Sequence, residues 1–211
     1  MCEQLPAFFY FVYYKNTKER IHLTETLFEL INKKINDREK ITILCIGTDK
    51  ILYDAYGPLV GYILKNVYKL DRKSNIEVIG DVKSPVHALN LREVAAELDT
   101  ENSLIIAVDA ALTNKKENHM TVIVEEGAIK PGSVYRKDLP YVGEIGIKGM
   151  IYRNYIFDVG EFIRLGDIIK MAEETAEIIN EAVNKYLMIE KQFEKIKEHA
   201  THKEIKNTAV L

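Results

Sequence analysis

One short, almost unbroken apolar run, Ile41-Thr-Ile-Leu-Cys-Ile-Gly47, constrains this chain more than any other stretch. Its β-branched residues read as a buried strand covered on both faces, the pattern of a parallel sheet. Gly47 ends the run, a loop follows, and an apolar-periodic helix begins close to Asp54. A carboxylate therefore stands just past the carboxyl end of a central strand. In open α/β sheets that edge is where ligands bind.

The rest of the chain alternates in the same way. Lys15 to Arg20 is a polar turn, and Thr24 is placed to cap a helix reaching about residue 36. Its apolar stripe is Leu27, Phe28, Leu30 and Ile31. The helix after Asp54 extends to about Leu70, with Leu59, Ile63, Val67 and Leu70 four and three apart. Gly57-Pro58 falls in its first turn, where a missing N–H costs little. Residues 76–79 form a second strand, and 80–84 the next loop at the same edge. Ser84 as cap and Pro85 as first residue open a helix to about Leu98, with Ala88, Leu91 and Ala95 on one side. A third strand, 103–108, ends at Asp109, and 120–124 forms a fourth. Residues 130–133 are a turn, and 142–152 reads as a strand or an irregular sheet edge, with Gly143, Gly146 and Gly149.

Such alternation predicts a three-layer α/β/α sandwich with a mostly parallel sheet. Right-handed crossovers bring the loops after the first three strands to one edge. Asp49, Asp54, Asp81 and Asp109 are then the acidic candidates there.

From Asp167 the pattern changes. Ile168, Ala172, Thr175, Ile179, Ala182, Tyr186, Ile189, Phe193 and Ile196 alternate four and three apart, a heptad-like seam. A helix of about thirty residues would be roughly 45 Å long. Its first half packs on the sheet. From about Lys185 it either projects or binds a partner helix, and the tail after His199 frays. The expected organisation is an aromatic strand and helix over 1–40, an α/β core over 41–184, and a helical extension over 185–211. A homo-oligomer through the C-terminal helix is the expected assembly.

Composition narrows the partners. The formal net charge is only −3, from 29 basic and 32 acidic residues, so electrostatics argue for neither nucleic acid nor an anionic membrane. The aromatic run 7–14 is far shorter than the roughly 20 residues that span a bilayer, and it lacks the flanks of a signal. It reads as a strand or a clamp on the domain. Two cysteines, Cys2 and Cys45, make no disulfide framework and fit a reducing cytoplasm. Cys45 reads as a small buried hydrophobe.

The nucleotide and nucleophile motifs are missing. The chain has no Walker loop, no dinucleotide glycine fingerprint and no Gly-x-Ser-x-Gly elbow. His22, His87, His119, His199 and His202 show no ligand spacing on one element and no Cys-x-x-Cys occurs, so the signal for zinc is weak, and no cofactor is expected. His87 alone stands near the proposed edge, where a surface or hydrogen-bonding role is the ordinary one. The acidic pair is the better lead. Two facing carboxylates cannot both ionise cheaply, so one keeps a proton. Such a pair can activate water and protonate a leaving amine, or hold a divalent metal. Alternatively, Asp54 caps its helix and Asp109 caps the loop after its strand.

Several blocks carry a resemblance. Cys45-Ile-Gly-Thr-Asp49, Asp54-Ala-Tyr-Gly-Pro-Leu-Val-Gly61, Pro85-Val-His-Ala-Leu-Asn-Leu91 and Ile105-Ile-Ala-Val-Asp-Ala110 resemble the sporulation protein YyaC family. So do Pro131-Gly-Ser133, Lys137-Asp-Leu-Pro-Tyr-Val-Gly143 and Arg164-Leu-Gly166. That family is similar to the germination protease of spore formers and, more distantly, to hydrogenase maturation endopeptidases. The resemblance implies a phosphorylase/hydrolase-like fold and an aspartate-dependent peptidase acting on spore proteins in the cytoplasm of the sporulating cell or forespore. It makes Asp54 and Asp109 the catalytic pair. The dipole of the helix after Asp54 favours its charged form, which makes Asp54 the base and Asp109 the acid. Asp49, Asp81 and His87, with Pro131, Gly132 and Ser133, are the expected contacts to a protein or peptide substrate. The endopeptidases hold a metal through an acidic pair plus a histidine. No histidine matches that position here, so no metal is implied. Two departures stand out: bulky Lys50-Ile-Leu-Tyr53 precedes Asp54, and Val134-Tyr135 replaces a glycine. A cleft closed by Leu52 or Tyr53 would instead mark a non-catalytic binding or assembly protein.

Overall fold

The computed structural model describes residues 10–13, 17–132, 139–153 and 163–208. Cys2, Ser133, Val134 and Tyr135 lie outside them, as does part of the aromatic run 7–14. The strands are β1 (Tyr10–Tyr13), β2 (Lys40–Cys45), β3 (Ile76–Ile79), β4 (Ser103–Thr113), β5 (Thr121–Glu126) and β6 (Ile145–Tyr152). The helices are α1 (Thr17–Lys34), α2 (Tyr56–Asn66), α3 (Leu91–Glu97) and α4 (Leu165–Thr208). The six strands form one sheet in the order β1-β5-β6-β4-β2-β3. Pairs β2–β3, β2–β4 and β4–β6 are parallel, while β5 runs antiparallel to both β6 and β1.

Strand alternation sorts the core into two layers. On one face Ile41, Ile43, Cys45, Leu104, Ile106 and Val108 join the buried stripes of α1, α2 and α4. On the other, Leu44, Ile46, Ile105 and Ala107 meet α3 and the loops through Leu91, Ile129, Leu139 and Val142. The fold is a three-layer α/β/α sandwich with a mostly parallel sheet and a long C-terminal helix. Among the described residues, no helix is long and apolar enough to cross a membrane. Cys45 is a free, buried thiol that burial pushes up to about 12, so it packs as a hydrophobe.

Local expectations fail where tertiary partners decide. Thr24 caps nothing: α1 begins at Thr17, and Thr24 is a buried mid-helix residue whose hydroxyl donates to Glu181 of α4 at 3.3 Å. Leu70 is not in α2, which ends at Asn66. Lys69 then adopts a left-handed φ of 53°, and a separate 3-10 turn follows. The buried face of α2 is Gly57, Val60, Gly61 and Leu64, one residue away from the expected stripe, while Val67 is exposed. Glycine sets that face. A Cβ on Gly57 would lie 2.0 Å from the Ile46 carbonyl oxygen, and one on Gly61 1.9 Å from that of Gly80. The helix thus rests directly on the backbone where β2 and β3 leave the sheet.

Ser84 and Pro85 do not start α3, which spans only Leu91–Glu97. Asx-type bonds hold the preceding loop off a helical path. Asp81 Oδ1 accepts from the Lys83 and Ser84 amides at 2.7 and 2.9 Å. Asn90 accepts from the His87 amide at 2.8 Å and donates to the Pro85 carbonyl at 3.1 Å. Val86 forms an isolated bridge to Ile46 instead. The C-terminal helix is longer than about thirty residues: α4 has 44. Ile168, Ala172, Thr175, Ile179, Ala182 and Tyr186 are buried in the domain's own core, whereas Met188, Phe193 and Ile196 are exposed.

Candidate active site

The third strand does not end at Asp109, and that difference makes the site. In register, Val108 of β4 pairs with Cys45, the last residue of β2. Beyond that rung β4 continues to Thr113 on β6 alone, from Asp109 opposite Lys148 to Thr113 opposite Tyr152. Asp109 therefore stands mid-strand where the neighbouring strand has just departed. β2 turns away through Ile46, whose amide donates to the Val108 carbonyl at 2.8 Å, and Gly47, whose amide donates to the Val86 carbonyl at 2.8 Å. The chain then folds into a 3-10 turn, Leu52–Ala55, that runs straight into α2. That turn carries Asp54. Its Oδ2 accepts the Thr48 amide at 3.0 Å, and α2 has no side-chain cap at its start. Asp54 thus braces its own loop and does not cap the helix, and Asp109 caps no loop.

Both aspartates line one cleft of about 340 Å³. The loop 46–54 forms one side, His87, Ala88 and Leu89 a second, and Pro131, Gly132 and Leu139 a third. Lys50 and Tyr53 belong to the wall, but the cleft stays open because Tyr53 packs against the helical-side core. His87 Nδ1 accepts from the Leu89 amide at 3.3 Å, which ties the second side together and assigns the proton of the neutral ring to Nε2.

Of the residues expected at the site, Asp54, Asp109, His87, Pro131 and Gly132 converge on this cleft. Ser133 lies outside the described residues. Asp49 is exposed and not part of the wall. Asp81 is also elsewhere: Lys65 Nζ sits 2.7 Å from its Oδ2, and the loop amides hold its other oxygen. Leu89 and Leu139 were not expected to line the cleft; they are apolar loop residues with no local signal, whereas Ile51 belongs to the bulky stretch 50–53 already set beside Asp54. Lys148 was missed as well. It sits beside Asp109 on β6 and is ion-paired with Glu125.

The electrostatics differ between the two acids. Burial pushes the Asp109 carboxyl well above the usual carboxylate range, and the Asp54 charge pushes it further; the Ala110 amide and Lys148 oppose this. Burial also raises Asp54, but the Thr48 amide and His87 hold it back. The pair can therefore share one proton, kept on Asp109. Among the described residues, no group of three or more histidine, cysteine or acidic side chains is placed to hold a metal ion, although His87 shares the cleft with the pair.

Comparison with known proteins gives three findings. A family described as "Protein of unknown function (DUF1256)" matches residues 11–178. The chain is 34% identical over 141 residues to "Uncharacterized protein YyaC" of Bacillus subtilis (strain 168), covering 65% of this chain and 66% of that protein, just under two thirds of its length. Among solved structures, the crystal structure of a [NiFe] hydrogenase maturation protease, HycI, from Thermococcus kodakarensis KOD1 superposes with a TM-score of 0.48 at 17% identity. That superposition covers 75% of this chain and 99% of the other.

Proposed function

The chain belongs to the DUF1256 family and is YyaC-like, and we propose that it is an aspartate-dependent peptidase, acting on spore proteins in the cytoplasm of a sporulating cell. The observation that carries this reading is the convergence of Asp54 and Asp109 on one open cleft, with burial raising both and Asp109 raised well above the usual carboxylate range. Such an unequal pair can divide acid from base work. Asp54, ionised, takes a proton from a water whose oxygen attacks the scissile carbonyl carbon. Asp109, protonated, gives its proton to the amide nitrogen as the C–N bond breaks. A carboxylic acid and an amine leave, and the pair is restored when the proton on Asp54 returns to Asp109 through solvent. No side chain bonds to the substrate.

The competing reading, a scaffold on the same fold, expects the space between the acids to be closed by Leu52 or Tyr53. Both instead pack against the core beside an open cleft. The direct test is incubation of the purified chain with a spore-protein extract from about pH 4 to about pH 8, with new termini read by mass spectrometry. New termini that vanish in both Asp54→Asn and Asp109→Asn support the peptidase. No cleavage anywhere in that range would sink it.

Self-association through distal α4 belongs to the same proposal. Exposed Phe193 and Ile196 continue the seam that the core uses up to Tyr186. A Phe193→Glu, Ile196→Glu variant should scatter light as a smaller particle than the wild type; equal sizes would refute this interface.

A further inference from the structure

Large apolar side chains stand exposed on two of the segments that line the cleft. Ile51 is 43% exposed on the Asp54 side, and Leu89 is 78% exposed on the His87 side. Neither is a stray surface residue, because both line the same cleft as Ile46, Ala88 and Leu139. Leaving such side chains in water forgoes burial that an occupant would supply. The loop that carries Leu89 is fixed, since its amide is bonded to His87 and the His87 amide to Asn90. The apolar mouth is thus built in.

Size and charge limit the occupant. About 340 Å³ lies at the low end for ligand pockets, with room for one large side chain and its flanking peptide units. The two aspartates at the base disfavour an anionic group. From this we propose that the cleft selects a peptide with a large aliphatic side chain next to the bond to be cut, gripped between Ile51 and Leu89. The proposal rests on the peptidase reading for its substrate class, and it adds the identity of the recognised side chain.

The test separates grip from chemistry. Three end-blocked, fluorescein-labelled alanine heptapeptides carry leucine, glycine or lysine at the centre. Their binding to the full chain is followed by fluorescence anisotropy, and each mixture is then weighed by mass spectrometry. Leucine should bind about tenfold more tightly than glycine or lysine, the contribution of one buried aliphatic side chain. Ile51→Ser and Leu89→Ser, both at exposed positions, should each erase most of that preference. Equal affinity for all three peptides, no binding of the leucine peptide at about 1 mM, or a leucine preference untouched by both variants overturns the proposal. A leucine peptide that is bound preferentially but left whole supports the pocket and counts against the peptidase. Cleavage without leucine preference does the reverse.

Discussion

Asp81 and Asp109 lie at the same edge of one sheet and are almost equally buried, at 7% and 8% exposure. Burial raises both, yet they end on opposite sides of the ordinary carboxylate value. For Asp81, the hydrogen bond from Lys65, the Ser84 and Lys83 amides and the lysine's charge outweigh burial, and its carboxylate is held below the usual range. For Asp109, the charge that acts on it most is another carboxylate, Asp54, while Lys148 is engaged by Glu125. Depth alone therefore does not set a carboxyl group's proton affinity. One carboxylate is built into a loop as a fully bonded brace; the other is left holding a proton in an open space.

The largest break in this contrast comes from Asp109→Asn. Turnover should fall about a thousandfold, while the protein becomes more stable at neutral pH. The sign follows from linkage. Above 3.8, the ordinary carboxylate value, the unfolded chain has released the proton that folded Asp109 still holds. Stability then falls as pH rises, until folded Asp109 itself ionises. Asparagine removes that slope, so melting temperatures of variant and wild type should coincide near pH 3.8 and diverge above it. Parallel curves would place Asp109 outside this account.

Gly57→Ala tests the seat of α2 on the backbone just past β2. Its Cβ would meet the Ile46 carbonyl oxygen at 2.0 Å, so backbones must part, at about 3 kcal/mol by urea denaturation. A near-neutral result would mean that the helix is not seated on the strand exit. Lys65→Met attacks the Asp81 side. Removing one partner of this mostly buried pair should cost about 2 kcal/mol, or about 6 °C in melting temperature. Because Asp81 is depressed, the difference from wild type should be full above the unfolded carboxylate value and shrink as pH falls through the folded one. Smallest is Lys148→Met. It removes a charge that favours ionised Asp109, so the basic limb of the pH–rate profile should move to higher pH, with a change in maximal rate below about tenfold. A move to lower pH would reverse the assignment of Asp109 as the acid.

The architecture was legible because it follows from patterns within single segments. The apolar runs of β2 and β4 announce buried parallel strands, and crossover handedness alone delivers Asp54 and Asp109 to one edge. The local signals failed where another part of the chain supplied the deciding contact. β4 outruns its expected end because β6 pairs with it as far as Thr113. Ser84-Pro85 has the composition of a helix start, but Asn90 and Asp81 compete for the backbone groups that a helix would use. α2 buries its glycines because the backbone beneath them is close, which hydrophobic periodicity does not register. The same holds for the apolar walls at Ile51, Leu89 and Leu139, which lie in three separate loops and meet only after folding.

The stretch of β4 beyond β2 has a consequence for how this molecule can change. Asp109 is set in a rung of the sheet, and altering its position means altering the register of β4 against β6. The opposing surfaces are loop segments outside the six strands, tied by single bridges and side-chain bonds and not by a continuous ladder. A descendant of this chain can change the apolar lining at Ile51 or Leu89 without moving Asp109.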